Sequence, residues 1–158
     1  TLDAKNADAI AIGALKFSIL RARAGSNIDF DPETSLSFEG DSGPYLQYTT
    51  VRAKSILEKA KQQNIVGMLD EQATANELEK HLARFPFIVE KSISEWAPHY
   101  ITGYSIELAH LFNAWYANTK ILGDDAQQTQ HNVFVTGTVV KVLEKSINLL
   151  GISIPEEM

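Results

Sequence analysis

Between its prolines this chain repeats apolar side chains every three or four residues, a period that a helix can bury on one face and a strand cannot. Ile10, Ala14, Phe17 and Arg21 keep that spacing in a proline-free stretch from Asp3 to Ala24, and Val135, Val139, Leu143 and Leu150 keep it near the other end. Val133, Val135, Val139 and Val140 are β-branched and favour strand locally, but their spacing fits a helix face better, so helix is the reading there. Pro44, Pro86 and Pro98 are expected in or just before first helical turns, where the missing N–H has no partner to lose. Helices are predicted over 3–24, from 42–44 to about 63, over a short stretch from Glu77 that Pro86 ends, from Pro86 to before Pro98, from Pro98 to about 122, and over roughly 129–150. Arg21, Arg23 and Gly25 read as a helix C-terminus. The turn formers Asn27, Asp29, Asp31, Pro32, Gly40, Asp41 and Gly43 make 26–43 a loop, with a short extended piece around Ser35 to Phe38. Asn64 to Glu71 is a connector, and the fold class is an all-α bundle.

Composition narrows the function. The chain has 158 residues, 44% hydrophobic and 22% charged, which is ordinary for a globular domain and excludes wholesale disorder. There is no run of about 18 apolar residues, so no membrane span is expected. No secretory signal is visible at the start, which carries Asp3, Lys5, Asn6 and Asp8. Cysteine is absent, which removes disulfides and thiolate chemistry. The net charge of −6 argues against a broad phosphate-tracking surface. His81, His99, His110 and His131 lack ligand spacing, so no metal site is expected; His110 suits a satisfied polar group facing a neighbouring helix. Gly40-Asp41-Ser42-Gly43 echoes a serine-protease loop, yet it opens a helix in a chain without the β-barrels that chemistry needs, so it reads as a cap. Glu77, Glu79 and Lys80 read as a solvated helix face, and no Walker-type loop is present.

The helix after Pro44 divides into two faces. Leu46, Ala53, Leu57 and Ala60 form a core stripe, and at about 100° per residue Tyr45, Tyr48 and Arg52 fall within about 60° of one another beside it. Two rings and a guanidinium on one face can stack on and bond an unpaired base. The same pattern suits a core margin whose arginine pairs with a nearby acid. In the helix after Pro98, Ile101, Tyr104, Leu108, Leu111, Phe112 and Trp115 are core candidates. Ala109, Asn113, Tyr116 and Lys120 lie on the shoulder, where Tyr116 is either a base-reading ring or an ordinary surface tyrosine.

The stretch from Leu36 to Tyr48, Leu-Ser-Phe-Glu-Gly-Asp-Ser-Gly-Pro-Tyr-Leu-Gln-Tyr, followed by Arg52, resembles the arginyl-tRNA synthetase family where its catalytic domain hands over to the C-terminal DALR-type anticodon-binding bundle. Glu107-Leu108-Ala109 with Phe112-Asn113 and Tyr116, and the ending Leu149-Leu150-Gly151-Ile152 with Pro155-Glu156 and Met158, resemble the same family in the same order. HIGH-type and KMSKS-type signatures are missing, and the stretch Asp3 to Ala24 resembles the helix that follows the KMSKS region. Two departures stand out. Thr49, Thr50 and Val51 occupy the segment where the family usually has a histidine, and Asn132 falls near the position of the DALR arginine.

The resemblance implies residues 1–43 as helix and loop at the junction with a catalytic domain and 44–158 as the anticodon-binding bundle. It implies tRNA for arginine as the partner, with Tyr45, Gln47, Tyr48, Arg52, Asn113, Tyr116 and Met158 at the anticodon. The parent would attach arginine to tRNA using ATP with Mg, as a cytoplasmic monomer; the chain itself would hold no cofactor and do no chemistry. All six arginine codons have G in the middle, so one cytosine pocket could serve every matching anticodon. The rival expectation is a helical protein-interaction module using the same aromatic edge.

Overall fold

The computed structural model describes residues 4–28, 30–156 and 158. Asp3, where the first helix is expected to start, and Asp29, counted among the turn formers, lie outside the described residues. Among the described residues there are seven helices and no strand: α1 (Ala4–Leu20), α2 (Pro32–Ser35), α3 (Gly43–Gln62), α4 (Glu77–Ala83), α5 (Phe85–Ser94), α6 (His99–Asn118) and α7 (Ala126–Leu149). The three prolines behave as expected. Pro44 and Pro86 lie in the first turns of α3 and α5, and Pro98 is the residue before α6. The valine-rich segment is helical, and Val135, Val139 and Leu143 are buried in the core beside Leu46, Leu108, Phe112 and Ile147.

Helix α3 packs on α1 and α7 and also meets α6, while α6 lies against α4, α5 and α7. The α1–α3 crossing is close because both helices present glycine there. A Cβ at Gly43 would lie 2.6 Å from the carbonyl oxygen of Gly13, so any larger residue would have to push the two backbones apart.

Five expectations are corrected. The loop 26–43 holds one helical turn, Pro32–Ser35, in place of an extended piece at Ser35 to Phe38. Asp31 caps it by accepting from Glu33 N at 3.1 Å and Thr34 N at 3.4 Å, and these local bonds override the strand-like pattern after it. Helix α1 ends at Leu20, earlier than Ala24, although Gly25 has the expected positive φ of 85°. Helix α6 stops at Asn118 rather than near Leu122, since Thr119 is extended and turns Ile121 into the core; α7 starts three residues before Thr129 because Asp125 caps it through Gln128 N. Glu79 is not solvated like Glu77 and Lys80. It closes a capping box with Asn76 and faces the buried His131 Nε2 at 3.3 Å.

Tyr104 illustrates how α4 is held on α6. Its ring stacks on His81 with centroids 4.3 Å apart, its hydroxyl donates to His81 O, and His81 Nε2–H donates to Tyr104 O, each at 3.1 Å. Burial pushes the phenol well above its ordinary pKa of 10.0, outweighing the nearby Arg84 cation. As pH rises through 10 the unfolded chain therefore loses a proton that the folded chain keeps, so stability present below that pH is lost above it. Urea melts at pH 9 and pH 11 should show a fall that is smaller in Tyr104→Phe; equal falls in the two proteins would count against the assignment.

Candidate nucleic-acid interface

The site lies where the start of α3 meets the middle of α6. Ser42 caps α3, its Oγ accepting from Tyr45 N at 3.0 Å while donating to Ser37 O, and this fixes the direction in which the first turn projects its tyrosines. Arg52 stands one turn beyond Tyr48 on the same face. Its Cζ lies 4.5 Å from the centre of the Tyr48 ring and 5.8 Å from that of Tyr116, and its Nη2 donates to Tyr48 OH at 2.5 Å. Its Nη1 donates to Asn113 Oδ1 at 3.1 Å. With the amide oxygen so engaged, Asn113 Nδ2 turns to α3 and donates to Tyr45 OH at 2.9 Å and Thr49 Oγ1 at 3.0 Å.

Two phenylalanines support the rings. Phe38, from the loop before α3, meets Tyr48 edge-on at 6.4 Å, and Phe112 lies parallel to Tyr116 at 6.3 Å. Tyr116 is 40% exposed, Tyr45, Tyr48, Arg52 and Asn113 are half-buried, and Phe112 is wholly inside. The surface therefore offers aromatic faces and guanidinium edges held by their own hydrogen bonds. Such a surface can stack on a planar heterocycle and donate to its edge. Among the described residues no cluster of metal-ligating side chains accompanies it.

Of the seven residues expected at the site, these contacts join five: Tyr45, Tyr48, Arg52, Asn113 and Tyr116. Gln47 is placed elsewhere and corrects the expectation. It points inward with no exposed surface, its Nε2 donating to Ala9 O at 3.1 Å and Ser153 O at 2.7 Å, so it ties α1 and the C-terminal tail to α3. Met158 is half-buried after a tail anchored by Ile152 and Pro155, and it takes no part in the contacts above. Arg52 pairs with an amide and a phenol in place of an acid. Asn132, near which the resemblance puts the DALR arginine, is buried and accepts from Gln128 Nε2 at 2.9 Å.

Sequence reasoning did not single out Phe38, Thr49 or Asp41 as site residues. His110 bridges α6 to α3 as a satisfied polar group, with Tyr45 OH at Nδ1 (3.2 Å) and Asp41 Oδ1 at Nε2 (3.0 Å). Its signal was its position one turn before Asn113 on the same helix face.

A helical bundle that presents a guanidinium beside two aromatic rings has the surface of a binding module. A family model described as DALR anticodon binding domain matches residues 46–158, and the chain belongs to that family. It is similar to the arginine–tRNA ligases of Latilactobacillus sakei (39% identical over 151 residues) and Lactobacillus johnsonii (40% over 152), each alignment covering 94% of this chain. The chain spans only 27% of the length of these curated relatives. Among solved structures, Thermus thermophilus arginyl-tRNA synthetase superposes with a TM-score of 0.86 at 33% identity, over 98% of this chain and 27% of that one. The Plasmodium falciparum arginyl-tRNA synthetase, at 20% identity and a TM-score of 0.79 over 98% of this chain and 28% of that one, shares the fold.

Proposed function

We propose that this chain is the anticodon-reading part of an arginine–tRNA ligase and that its ligand is the anticodon loop of the tRNA for arginine. The observation that carries this reading is the Tyr48–Arg52–Tyr116 stack braced by Asn113. A splayed base needs a ring platform and a few donors, which a chain of net charge −6 can supply without a broad basic surface. Tyr45, Tyr48, Arg52, Asn113 and Tyr116 form the proposed contact set, with Met158 added through the tail; Gln47 is left out because its side chain has no exposed surface. The parent enzyme would attach arginine using ATP and Mg and work as a cytoplasmic monomer, with the chemistry in its catalytic domain.

Residues 1–43 would face that catalytic domain. Ile12, Leu15 and Ile19 support this, since they form an exposed apolar stripe on α1 away from the α3 crossing, about half of each side chain uncovered.

The test is binding of RNA stem-loops that carry C or U at the middle anticodon position. Tyr48→Ala and Tyr116→Ala are expected to weaken binding of the C stem-loop by about 1–3 kcal/mol each, the scale of one base–aromatic stack, with near-normal melting temperatures. Unchanged affinity in both folded variants would place the recognition face elsewhere. Loss of melting temperature with unchanged affinity would make the tyrosines core margins only.

A further inference from the structure

His110 and Asp41 touch the cluster from outside the proposed contact set, and the chemistry of their hydrogen bonds has a definite direction. The Asp41 carboxylate can only accept, so the 3.0 Å contact with His110 Nε2 requires the imidazole proton on Nε2. In the neutral ring Nδ1 then carries a lone pair and no hydrogen. Tyr45 OH, 3.2 Å from that nitrogen, must donate its one proton to it. From the other side Arg52 holds Asn113 Oδ1, so Asn113 Nδ2 donates to the same Tyr45 oxygen at 2.9 Å. Asp41 is itself held, as Arg21 Nη1 donates to its carbonyl oxygen at 2.9 Å. The protons of the His110 ring, the Tyr45 hydroxyl and the Asn113 amide are thereby committed, and what Tyr45 has left to offer a ligand is a lone pair.

We propose that His110 and Asp41 are positioning residues that keep the Tyr45 hydroxyl an acceptor and so set the site's preference for a base bearing an exocyclic amine. Cytosine presents an amino donor at the position where uracil presents a carbonyl acceptor. An oxygen whose proton is already spent can receive the first and has nothing to give the second. Two acceptors brought together leave both without a partner, the situation that discriminates most sharply in a partly dry site. This inference rests on the anticodon reading above and assigns the residues that give it its choice of base.

The experiment measures the affinity of the 158-residue chain for the C and U stem-loops. His110→Ala removes the acceptor and frees the Tyr45 proton, so the C-over-U ratio should fall about tenfold, the equivalent of one hydrogen bond, mainly because U binds better. Asp41→Asn, which no longer obliges Nε2 to carry the proton, should lower the ratio in the same direction. His110→Asn, whose side-chain oxygen can stand in for Nδ1, should restore part of the preference. Tyr45→Phe should abolish the preference, and His110→Ala should add nothing in that background. Both His110 and Asp41 have half-exposed side chains, so neither replacement empties the core. An unchanged ratio in folded His110→Ala and Asp41→Asn overturns the inference while leaving the anticodon reading intact, as does a His110→Ala effect that persists undiminished in Tyr45→Phe. A wild-type chain that binds neither stem-loop, or binds both equally, overturns the reading and the inference together.

Discussion

Replacing Phe112 with alanine is expected to cost about 3–5 kcal/mol of folding stability, the range for removing a wholly buried ring. The side chain is fully enclosed and sits with Leu46, Leu108 and Leu143 where α3, α6 and α7 converge, so the space it leaves cannot be filled by a small shift of one neighbour. Single domains have only about 5–15 kcal/mol in total, and for a chain of this size the loss corresponds to a fall in melting temperature of roughly 6–20 °C. The variant should also bind the stem-loop poorly while still folded, because Phe112 backs the Tyr116 ring at 6.3 Å. Thermal and urea melts measure the first effect, and titration at a temperature where the variant is folded measures the second. A loss of less than about 0.5 kcal/mol, the ordinary size of a surface change, would show that the site collapses around the cavity.

Arg52→Ala is expected to have the largest effect on recognition, at the upper end of the scale of about 1–3 kcal/mol for one base–aromatic stack, since it removes the cation facing both rings and the two hydrogen bonds that orient Asn113 and Tyr48. The loss is indirect as well as direct. Without Nη1 at Asn113 Oδ1 the amide can rotate, and Tyr45 loses the donor that faces it. Arg52→Lys separates charge from shape: an ammonium keeps the cation but cannot lie flat between the Tyr48 and Tyr116 rings while reaching both bonded oxygens. The expected order of affinity is wild type, then lysine, then alanine, with the lysine variant well below wild type. Wild-type affinity in Arg52→Lys would mean that charge alone matters at this position.

The helical fold was largely legible beforehand because its causes are local. Pro44 next to Ser42, and Pro98 before a long apolar-periodic run, act within a single turn, and the structure places α3 and α6 accordingly. Boundaries that failed were those set by distant parts of the chain. Nothing near Thr119 says that α6 must stop at Asn118; it stops because Ile121 turns into a core made by other helices. Glu79 reads as surface from its neighbours Glu77 and Lys80, and it is covered only because His131 reaches it from α7.

The candidate site divides along the same line. Helix geometry alone puts Tyr45, Tyr48 and Arg52 on one face of a capped helix, since a period of 3.6 residues fixes angular position whatever surrounds the helix. It likewise puts Asn113 and Tyr116 on one shoulder of a second helix. That these two faces meet, that Arg52 finds an amide and not an acid, that Gln47 turns inward to Ala9 and Ser153, and that His110 closes on Asp41 were decided by tertiary structure. These contacts join residues 38 to 106 positions apart, apart from the chain's local order. They depend on how α3 is seated against α1, α6 and α7, through the glycine crossing at Gly13 and Gly43 and the packing around Phe112. Helix periodicity carries no information about crossing angle or depth, which emerge only when all the apolar faces are buried at once.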